Sequence, residues 1–410
     1  MKYVIVGNSA AAVGCVEGIR SVDKTSPIVI ISDEPHRTYS RPLISYWLEG
    51  AVDDEHIYYR GADFYEKNGV TAMLGVRCVK IEPESKRVIL ENGETVDYGK
   101  LLVAAGSSPF VPPVPGLATC ENAFTFLSWD SAKAVRAAVT KSSRVVILGA
   151  GLIGLKAAEG LHGLCADITV VDLADRILPS ILEADAAAIM QRHLEAHDIK
   201  FILSDAAAEV KDGALILKSG TVCPFDVLIV AVGVRANTGL IKDAGSEVAR
   251  GIITDDCLNT SLPDVYAAGD CTESFDISCS QRRVLALLPN AYLQGETAGI
   301  NMAGETCQFK KAIPMNAIGF FGKHIVSAGS YDGEEIVDVG ENDYRKLVFA
   351  DGVLRGFMII GEVDRAGIYT SLVREKTPID TLDMDILRDK PQLLMFGRSE
   401  RKEKLAGGTL

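Results

Sequence analysis

The chain has 410 residues, of which 48% are apolar and 24% are charged, as is typical of globular proteins. At roughly 100–200 residues per domain, this length predicts two to four domains. The 42 basic and 55 acidic residues leave a net charge of −13, which disfavours a nucleic-acid partner because binding phosphates needs a basic face. With no apolar run of about 18 residues, the sequence predicts no membrane span and no membrane partner.

The nine cysteines are scattered, and no two are closer than eight positions. This spacing excludes C-x-x-C motifs, zinc ribbons and ferredoxin-type clusters, and we expect reduced thiols. The apolar run near the N-terminus, Tyr3–Val6, is too short for the core of a signal peptide. We therefore expect a cytoplasmic protein.

The N-terminal segment predicts a βαβ unit. A short strand over Lys2–Val6 leads through the small-residue turn Gly7–Ala12 into an amphipathic helix. A second strand, Ile28–Ile31, is followed by the acids Asp33 and Glu34. This arrangement is typical of the first half of a dinucleotide-binding fold.

The same order of elements recurs later in the chain. A strand over Arg144–Leu148 enters a glycine-rich turn and a helix, and the next strand, Ile168–Val171, ends at Asp172. Each unit is followed by turn-separated strands and a closing apolar run, 101–106 in the first and 227–233 in the second. Two such folds in tandem predict two bound nucleotide cofactors.

The second glycine motif is complete. Gly149 makes the tight turn, Gly151 lets the backbone approach a pyrophosphate, and Gly154 allows close packing of helix on strand. The helix N-terminus then offers free N–H groups to the phosphates. Asp172 lies where a carboxylate bonds the adenosine ribose and repels a 2′-phosphate, so NAD(H) is favoured over NADP(H), although Arg176 could weaken that preference.

The first motif is degenerate and reads Gly7-x-Ser9-x-x-Ala12. Ser9 is small enough for close approach, and Ala is an accepted third member of such motifs. Taken alone, it is as consistent with an ordinary strand–helix turn as with a nucleotide site. The internal repeat favours the nucleotide site.

The order of motifs up to about residue 305 resembles the flavoproteins of the pyridine nucleotide–disulfide oxidoreductase superfamily, which bind two dinucleotides. The segment Thr260–Asp270 is similar to the late FAD motif of that family. Arg41-Pro42 matches the segment that passes the flavin, and Ala105-Gly106 matches an A-T-G motif with Ala in place of Thr. The resemblance implies an α/β fold with two Rossmann-like domains, for FAD and NAD, and a small C-terminal α+β domain.

The resemblance also implies which residues hold each cofactor. An acid after the second strand would bond the adenosine ribose, Asp270 would accept hydrogen bonds from the ribitol, and the helix opening near Asn290 would stabilise the anionic reduced flavin. The implied FAD-binding positions are Gly7, Ser9, Ala12, Asp33, Glu34, Arg41, Pro42, Ala105, Gly106, Gly269, Asp270 and Asn290. The implied NAD(H)-binding positions are Gly149, Gly151, Gly154, Asp172 and Gly233.

The domain boundaries implied by these motifs interrupt the FAD domain. We predict an FAD domain from residues 1–118 and 246–308, with an NAD(H) domain, 119–245, inserted between them. A C-terminal α+β domain over 309–396 and a polar tail over 397–410 follow. The strands predicted in the C-terminal domain are Ile325–Ala328, Tyr344–Phe349 and Leu354–Ile360, before a helix over Ala366–Glu375.

One family feature is missing. Disulfide reductases of this superfamily carry a reactive cysteine around residues 40–50, and here Tyr39–Trp47 contains none. No C-terminal His-Pro base motif occurs either. A flavin without a nearby thiol cannot relay electrons to a disulfide. The pattern is instead similar to the ferredoxin/rubredoxin-reductase branch, in which the flavin passes electrons to a metal centre.

Two positions depart from that branch. The branch usually has Glu two residues after the third glycine and Lys after the R-P-x-x-S segment, whereas this chain has Lys156 and Tyr46. We hypothesise that Lys156 is catalytic and supplies the positive charge near flavin N5. The alternative is a lysine that simply faces solvent.

The segments Met315–Gly322 and Gly361–Tyr369 look like those of a subgroup of the family. It contains the flavin part of nitrite reductase and the NAD-linked flavin subunits of tungsten aldehyde or 2-oxoacid oxidoreductases. The resemblance implies an enzyme that exchanges hydride between NAD(H) and FAD, and single electrons with an iron–sulfur or rubredoxin-like partner, as a homo-oligomer or within a hetero-oligomeric complex. The alternatives are a stand-alone NADH oxidase and a non-enzymatic, NADH-responsive flavoprotein.

Two weaker signals concern metals and thiols. His193 and His197 share one helix face at a spacing that can bind a metal, but with no third ligand nearby a solvated helix face is favoured. Cys271 and Cys279 flank the late FAD motif, and we expect packing roles for both. No metal site is therefore predicted.

Overall fold

A computed structural model describes residues 1–310 and 312–405. These residues group into two compact units. The first contains Met1–Ser180, Asp198–Phe275 and Arg282–Ala312, and the second contains Ile181–His197, Asp276–Gln281 and the C-terminal part from Ile313. None of the helices in the described part of the chain is long and apolar enough to span a membrane.

The strands are numbered in chain order. In the first part of the chain they are β1 Tyr3–Val6, β2 Ile28–Ser32, β3 Val70–Leu74, β4 Cys78–Glu82, β5 Arg87–Leu90, β6 Thr95–Asp97, β7 Lys100–Val103, β8 Ser107–Pro109 and β9 Ala123–Thr125. The central part contains β10 Arg144–Leu148, β11 Asp167–Val171, β12 Ile199–Ile202, β13 Ala207–Lys211, β14 Ala214–Leu217, β15 Val222–Pro224, β16 Val227–Val230 and β17 Val234–Ala236. The remainder are β18 Val265–Ala267, β19 Glu273–Asp276, β20 Gln281–Val284, β21 Met315–Phe320, β22 Lys323–Gly329, β23 Glu334–Val339, β24 Tyr344–Ala350 and β25 Val353–Ile360.

The helices are numbered in the same way. They are α1 Ala10–Val22, α2 Ile44–Glu49, α3 Phe64–Lys67, α4 Trp129–Ala138, α5 Leu152–Leu161, α6 Ala184–Glu195, α7 Gly239–Asp243, α8 Leu288–Met302, α9 Ala366–Glu375, α10 Met384–Asp389 and α11 Arg398–Leu405. Short 3-10 helices cover Arg41–Leu43, Leu117–Thr119, Ile379–Thr381 and Leu393–Met395.

The predicted internal repeat is present as two parallel sheets of the same design. Their strand orders are β18-β7-β1-β2-β3 and β9-β16-β10-β11-β12. The central strands β1 and β10 are almost wholly buried, as expected for strands covered on both faces. In each sheet the first βαβ unit therefore places its glycine-rich turn at the carboxyl edge, which is where ligands bind in open α/β sheets.

Each parallel sheet is followed by the small antiparallel sheet that the turn signals predict. β4, β5 and β6 form the first and β13, β14 and β15 the second. A two-stranded antiparallel pair, β8 with β17, then joins the two halves of the first unit. These pairings confirm the predicted α/β fold class with two Rossmann-like folds.

The second unit contains a five-stranded antiparallel sheet in the order β21-β22-β25-β24-β23. The three predicted strands are present, and two of them form a hairpin through Asp351-Gly352, while β21 and β23 were not predicted. On one face, Leu347, Phe357 and Tyr369 of α9 belong to a single buried core.

Helix α6 groups with this C-terminal sheet. Lys346 on β24 is 4% exposed, and its Nζ donates to Glu183 just before α6 at 2.7 Å. His193 Nε2 on α6 lies 2.9 Å from the carbonyl oxygen of Phe320. The sequence placed this helix in the predicted NAD(H) range 119–245, because a sequence repeat does not register contacts made by a remote sheet. The predicted domain boundaries stay predictions.

The polar segment predicted as a tail is helical over Arg398–Leu405. Lys404 contacts Glu375 of α9 at 3.1 Å and lies 4.7 Å from the centre of the Phe396 ring. The polar composition gave no sign of this helix or of the lysine that packs on an aromatic ring, and the predicted tail boundary stays a prediction. The rest of the predicted tail, 406–410, lies outside the described residues.

Helices α1 and α8 pack at the contact distance that only glycine permits. A Cβ on Gly295 would lie 1.9 Å from the carbonyl oxygen of Ala11, and one on Gly14 would lie 2.2 Å from that of Tyr292. Gly18 and Gly299 have equivalent backbone neighbours. This packing fixes α8 against the helix that follows the first glycine-rich turn.

We expect Gly295→Ala to destabilise the apoprotein by about 1–3 kcal/mol, because the added methyl group forces α1 and α8 apart. Urea denaturation gives the free energy of unfolding. Gly367→Ala is the matched control, since a Cβ on Gly367 in α9 meets no atom within 4 Å. That control should be neutral or stabilising by about 0.5–1 kcal/mol. Equal losses in both variants would contradict the close packing.

Candidate functional site

The first glycine-rich turn has the geometry of an anion-binding turn despite its degenerate sequence. Gly7 has φ +117°, and a Cβ there would lie 2.1 Å from the carbonyl oxygen of Ala104. Ser9 is the N-cap of α1, yet its side chain makes no capping hydrogen bond, and the first turn contains no acidic residue. Ala12 is fully buried. The N–H groups at the start of α1 therefore suit a phosphate, which is what a bound dinucleotide supplies.

The second turn shows the three glycine roles directly. Gly149 has φ +116°, and its Cβ would lie 2.4 Å from the carbonyl oxygen of Ala231. No atom lies within 4 Å of a Cβ on Gly151, so this position is open to a ligand. A Cβ on Gly154 would lie 2.0 Å from the Gly149 oxygen, which only a glycine tolerates. Helix α5 also begins without a capping side chain or an acidic residue.

The acids after the second strands differ in their surroundings. Asp33 is exposed and contacts Arg77 at 3.3 Å. Glu34 is half-buried, and its carboxylate accepts hydrogen bonds from the Tyr39 hydroxyl at 2.6 Å and from Arg41 Nη2 at 2.5 Å. Glu34 thus faces the predicted flavin segment, whereas Asp33 lies at the surface.

Asp172 is tied to the second glycine-rich turn. Its carboxylate accepts the N–H of Ala150 at 2.6 Å and the N–H of Ala174 at 2.8 Å. Arg176, which could have offset the preference for NAD(H), is paired with Asp175 at 2.8 Å. Asp172 lies where the sequence places it, beside the turn and at the end of β11.

Arg41 connects the segments of the candidate FAD site. Besides Glu34, its Nη1 contacts the Tyr39 hydroxyl and the carbonyl oxygen of Leu127, both at 3.2 Å. Pro42 follows it in the 3-10 helix. Burial raises the pKa of Asp270, while the positive charge of Arg41 and a hydrogen bond from Ser107 act in the opposite direction. Arg41 therefore forms an ion pair with Glu34 and also lies close enough to Asp270 for its positive charge to favour that carboxylate.

The Ala105-Gly106 segment is fixed by a residue that sequence reasoning missed. Asn237 donates from Nδ2 to the carbonyl oxygen of Ala105 at 2.8 Å, and its backbone N–H donates to that of Gly106 at 3.0 Å. Gly106 has φ +63° and Gly233 has φ +117°. Asn237 follows the second closing run, so the repeat itself was the signal that could have found it.

Helix α8 begins at Leu288 with a proline in its first turn and no capping side chain. Its first turn contains no acidic residue, and Asn290 there is 5% exposed. The predicted start near Pro289 is confirmed. A helix N-terminus of this kind favours a neighbouring negative charge.

Lys156 does not face solvent. Its side chain is 14% exposed, its Nζ pairs with Glu159, and it lies 4.2 Å from the centre of the Tyr46 ring. The two positions that depart from the family branch therefore meet, with a cation on an aromatic face where the branch has an ion pair. Glu159, one turn along α5, was not anticipated from the sequence.

Asn8 is a second residue that the sequence did not single out. Its Oδ1 accepts the hydroxyls of Thr38 at 2.7 Å and Tyr65 at 2.9 Å, and its Nδ2 donates to the carbonyl oxygen of His36 at 3.1 Å. Asn8 is the variable residue of the first motif, so only the fold reveals these partners. These hydrogen bonds hold a turn in which Ser9 and Ala12 replace two of the motif glycines.

The thiols and imidazoles considered earlier have packing partners. Burial raises the pKa of Cys271 to about 12. The His197 ring stacks on the Phe321 ring, with 4.2 Å between their centres, so this helix face is not simply solvated as expected. Burial lowers the pKa of His193. Among residues 1–310 and 312–405 no group of three or more His, Cys, Asp or Glu side chains is arranged to hold a metal ion.

A family model described as pyridine nucleotide-disulphide oxidoreductase matches residues 1–295. The chain belongs to this family. It is therefore an oxidoreductase whose cofactors are FAD and NAD(H). The three helix N-termini without capping side chains and the half-buried carboxylate of Asp270 fit two dinucleotides.

Two relatives have nearly the same length as this chain. The NADH-dependent phenylglyoxylate dehydrogenase subunit epsilon of Aromatoleum evansii is 31% identical over 394 residues, or 93% of each chain. The rubredoxin-NAD(+) reductase of Alcanivorax borkumensis is 31% identical over 369 residues, covering 88% of this chain and 94% of the relative. The chain thus resembles the ferredoxin/rubredoxin-reductase branch.

Among solved structures, a covalent putidaredoxin reductase–putidaredoxin complex matches with a TM-score of 0.87 at 21% identity. The match covers 99% of this chain and 98% of that chain. At this identity the likeness establishes the fold alone. It agrees with the predicted architecture, including the small C-terminal domain.

We expect Asn8→Ala to raise the FAD dissociation constant about tenfold, because the turn loses three hydrogen bonds and two hydroxyls lose their acceptor. Titration of the apoprotein by flavin fluorescence measures this. Asn259→Ala is the control, since the Asn259 side chain donates to the Asp255 carboxylate in its own loop. A similar loss of FAD affinity in both variants would argue against a specific role for Asn8.

Proposed function

We propose that this chain passes electrons between NAD(H) and an iron–sulfur or rubredoxin-like partner, as the flavin subunit of a larger redox complex. The observation that carries the proposal is the side-chain pair beside α2. The segment in which thiol-dependent relatives carry a reactive cysteine contains Tyr46 in this chain. The Tyr46 ring lies 4.2 Å from Lys156 Nζ. With no thiol in residues 39–50, the site is suited to outward electron transfer rather than to disulfide reduction.

When bound, FAD supplies the chemistry by accepting hydride from NADH and giving up electrons one at a time. The protein residues supply position and charge. The N–H groups at the starts of α1 and α5 bind the two pyrophosphates. Asp270 and Arg41 fix the flavin chain, and Asp172 holds the adenosine ribose of NAD(H).

Electrostatics favour the reduced flavin at two places. The N-terminus of α8 presents its positive end, and the ammonium group of Lys156, which is paired with Glu159, is largely shielded from water. Tyr46 limits the freedom of the Lys156 ammonium group, and Glu159 keeps its charge balanced before the flavin is reduced. Bound at this site, a reduced flavin would have its negative charge stabilised by these groups.

The names of the two relatives support this proposal. One is a subunit of an NADH-dependent dehydrogenase, and the other is a reductase of rubredoxin. Because both match this chain over nearly their whole length, the proposal concerns a separate flavin subunit. A homo-oligomer is the alternative assembly.

The proposal is tested with rubredoxin and a [2Fe–2S] ferredoxin as acceptors, under anaerobic conditions, after the flavin has been reduced by NADH. We expect at least one of them to reoxidise the flavin about tenfold faster than dissolved oxygen does when oxygen is supplied as the acceptor in place of the carriers. Oxygen that is as effective as the carriers would indicate an NADH oxidase. Rapid flavin reduction without turnover on any acceptor would indicate a regulatory flavoprotein. An iron–sulfur subunit that co-purifies at fixed stoichiometry would support the complex.

Lys156→Met removes the proposed charge while keeping a chain of similar length. We expect the flavin midpoint potential to fall by about 30 mV, equivalent to about 1.4 kcal/mol for two electrons, and hydride transfer from NADH to slow. Spectroelectrochemistry and stopped-flow absorbance measure the two effects.

Lys404→Met is the matched control for that substitution. Lys404 also lies over an aromatic ring and pairs with a glutamate, but in α11 of the second unit. It should leave the potential unchanged. An unaltered potential and hydride-transfer rate in Lys156→Met would refute the proposed role of Lys156.

A further inference from the structure

One buried amide joins helix α8 to the turn that carries Asp270. Gln294, on the second turn of α8, is 1% exposed. Its Oε1 accepts the backbone N–H of Gly269 at 2.6 Å and the hydroxyl of Thr272 at 3.0 Å, and its Nε2 donates to the hydroxyl of Ser274. Because a backbone N–H can only donate, the atom facing Gly269 is the carbonyl oxygen, which fixes the orientation of the amide.

These contacts lie on both sides of Asp270 in the sequence. Gly269 has φ +88°, and its carbonyl oxygen accepts the Thr272 hydroxyl at 2.8 Å. Gln294 therefore bonds to Gly269, which precedes Asp270, and to Thr272 and Ser274, which follow it. The direction of the Asp270 carboxylate depends on where α8 places this amide.

The last turn of α8 is held by a second side-chain amide, which does not bond to the turn around Asp270. Asn301 donates to the carbonyl oxygens of Cys257 at 3.0 Å and Cys307 at 2.8 Å, and its Oδ1 accepts the N–H of Cys307 at 2.8 Å. The helix thus has two amide anchors, Gln294 in its second turn and Asn301 in its last turn. Only the Gln294 anchor touches the turn of the candidate FAD site.

We infer that Gln294 is a positioning residue for FAD, which keeps the Asp270 carboxylate and the N-terminus of α8 in one fixed arrangement. The ribityl chain and the pyrimidine edge of the flavin are then bound by two groups that cannot shift independently. Gln294 touches no cofactor and acts through Asp270. The inference rests on the proposed placement of FAD at Asp270.

The physical basis is the cost of leaving buried polar groups without partners. Replacing the Gln294 amide by an alkyl group removes the acceptor of the Gly269 N–H in a part of the fold where water has little access. The turn gains alternative conformations, and the Asp270 carboxylate spends less time where FAD needs it. The loss therefore appears in FAD affinity as well as in stability.

The test is a double-mutant cycle on FAD binding to the apoprotein with Gln294→Leu and Asp270→Asn. We expect Gln294→Leu to raise the FAD dissociation constant about tenfold. In the Asp270→Asn background the same change should raise it less than about twofold, because the group it positions is gone. Flavin fluorescence gives the constants, and thermal unfolding of each apoprotein gives its stability.

Asn301→Leu is the matched control. We expect it to lower the unfolding temperature of the apoprotein as much as Gln294→Leu does, with little change in FAD affinity. Equal losses of FAD affinity in the two variants, or additive effects in the cycle, would overturn the inference. If Asp270→Asn itself leaves FAD affinity unchanged, the placement of FAD fails, and the inference fails with it.

Ser274→Ala covers the case in which Gln294→Leu does not fold. It removes only the acceptor of the Gln294 Nε2 and leaves the bonds to Gly269 and Thr272 in place. We expect a rise of about threefold in the FAD dissociation constant, again absent in the Asp270→Asn background. An effect of equal size in both backgrounds would contradict the inference. No electron acceptor is used, so these results are independent of the partner.

Discussion

In the first unit, the backbone of each glycine-rich turn closely approaches the end of a neighbouring strand. The carbonyl oxygens of Ala104 and Ala231 occupy the space that a Cβ on Gly7 or Gly149 would need. Each contact brings a helix N-terminus to the carboxyl edge of a buried parallel sheet. The two nucleotide sites and the helices that surround them all depend on this approach, because the unpaired N–H groups are useful only where a phosphate can reach them.

The candidate FAD site is a meeting of several chain segments. Glu34 pairs with Arg41, whose charge also attracts the Asp270 carboxylate, while Asn8 and Gln294 hold the adjoining turns through their side-chain amides. Such networks are valuable only when every member has a partner, because an unsatisfied buried group costs more than a hydrogen bond gains. The candidate flavin site therefore depends on amides that bond to the turns around it.

The chemistry of the site follows from a few side chains beside it. A family named for disulphide reduction is represented here by a chain in which Tyr46 and Lys156 face each other and no cysteine lies in residues 39–50. A cation on an aromatic ring can stabilise negative charge on a flavin but cannot carry electrons to a disulfide. Fold and cofactors are thus shared with thiol enzymes, while the proposed acceptor is different.

The sequence alone determined the two βαβ units, their glycine turns, the acids at Asp172 and Asp270 and the start of α8, because these depend on local spacing and residue size. It also located Lys156 and Tyr46 as linked departures. Only the tertiary structure decided that Glu34 pairs with Arg41, that α6 contacts the C-terminal sheet, and that Asn8, Asn237 and Gln294 fix the turns. The physical reason is that a hydrogen bond between distant segments leaves no periodic trace in the chain.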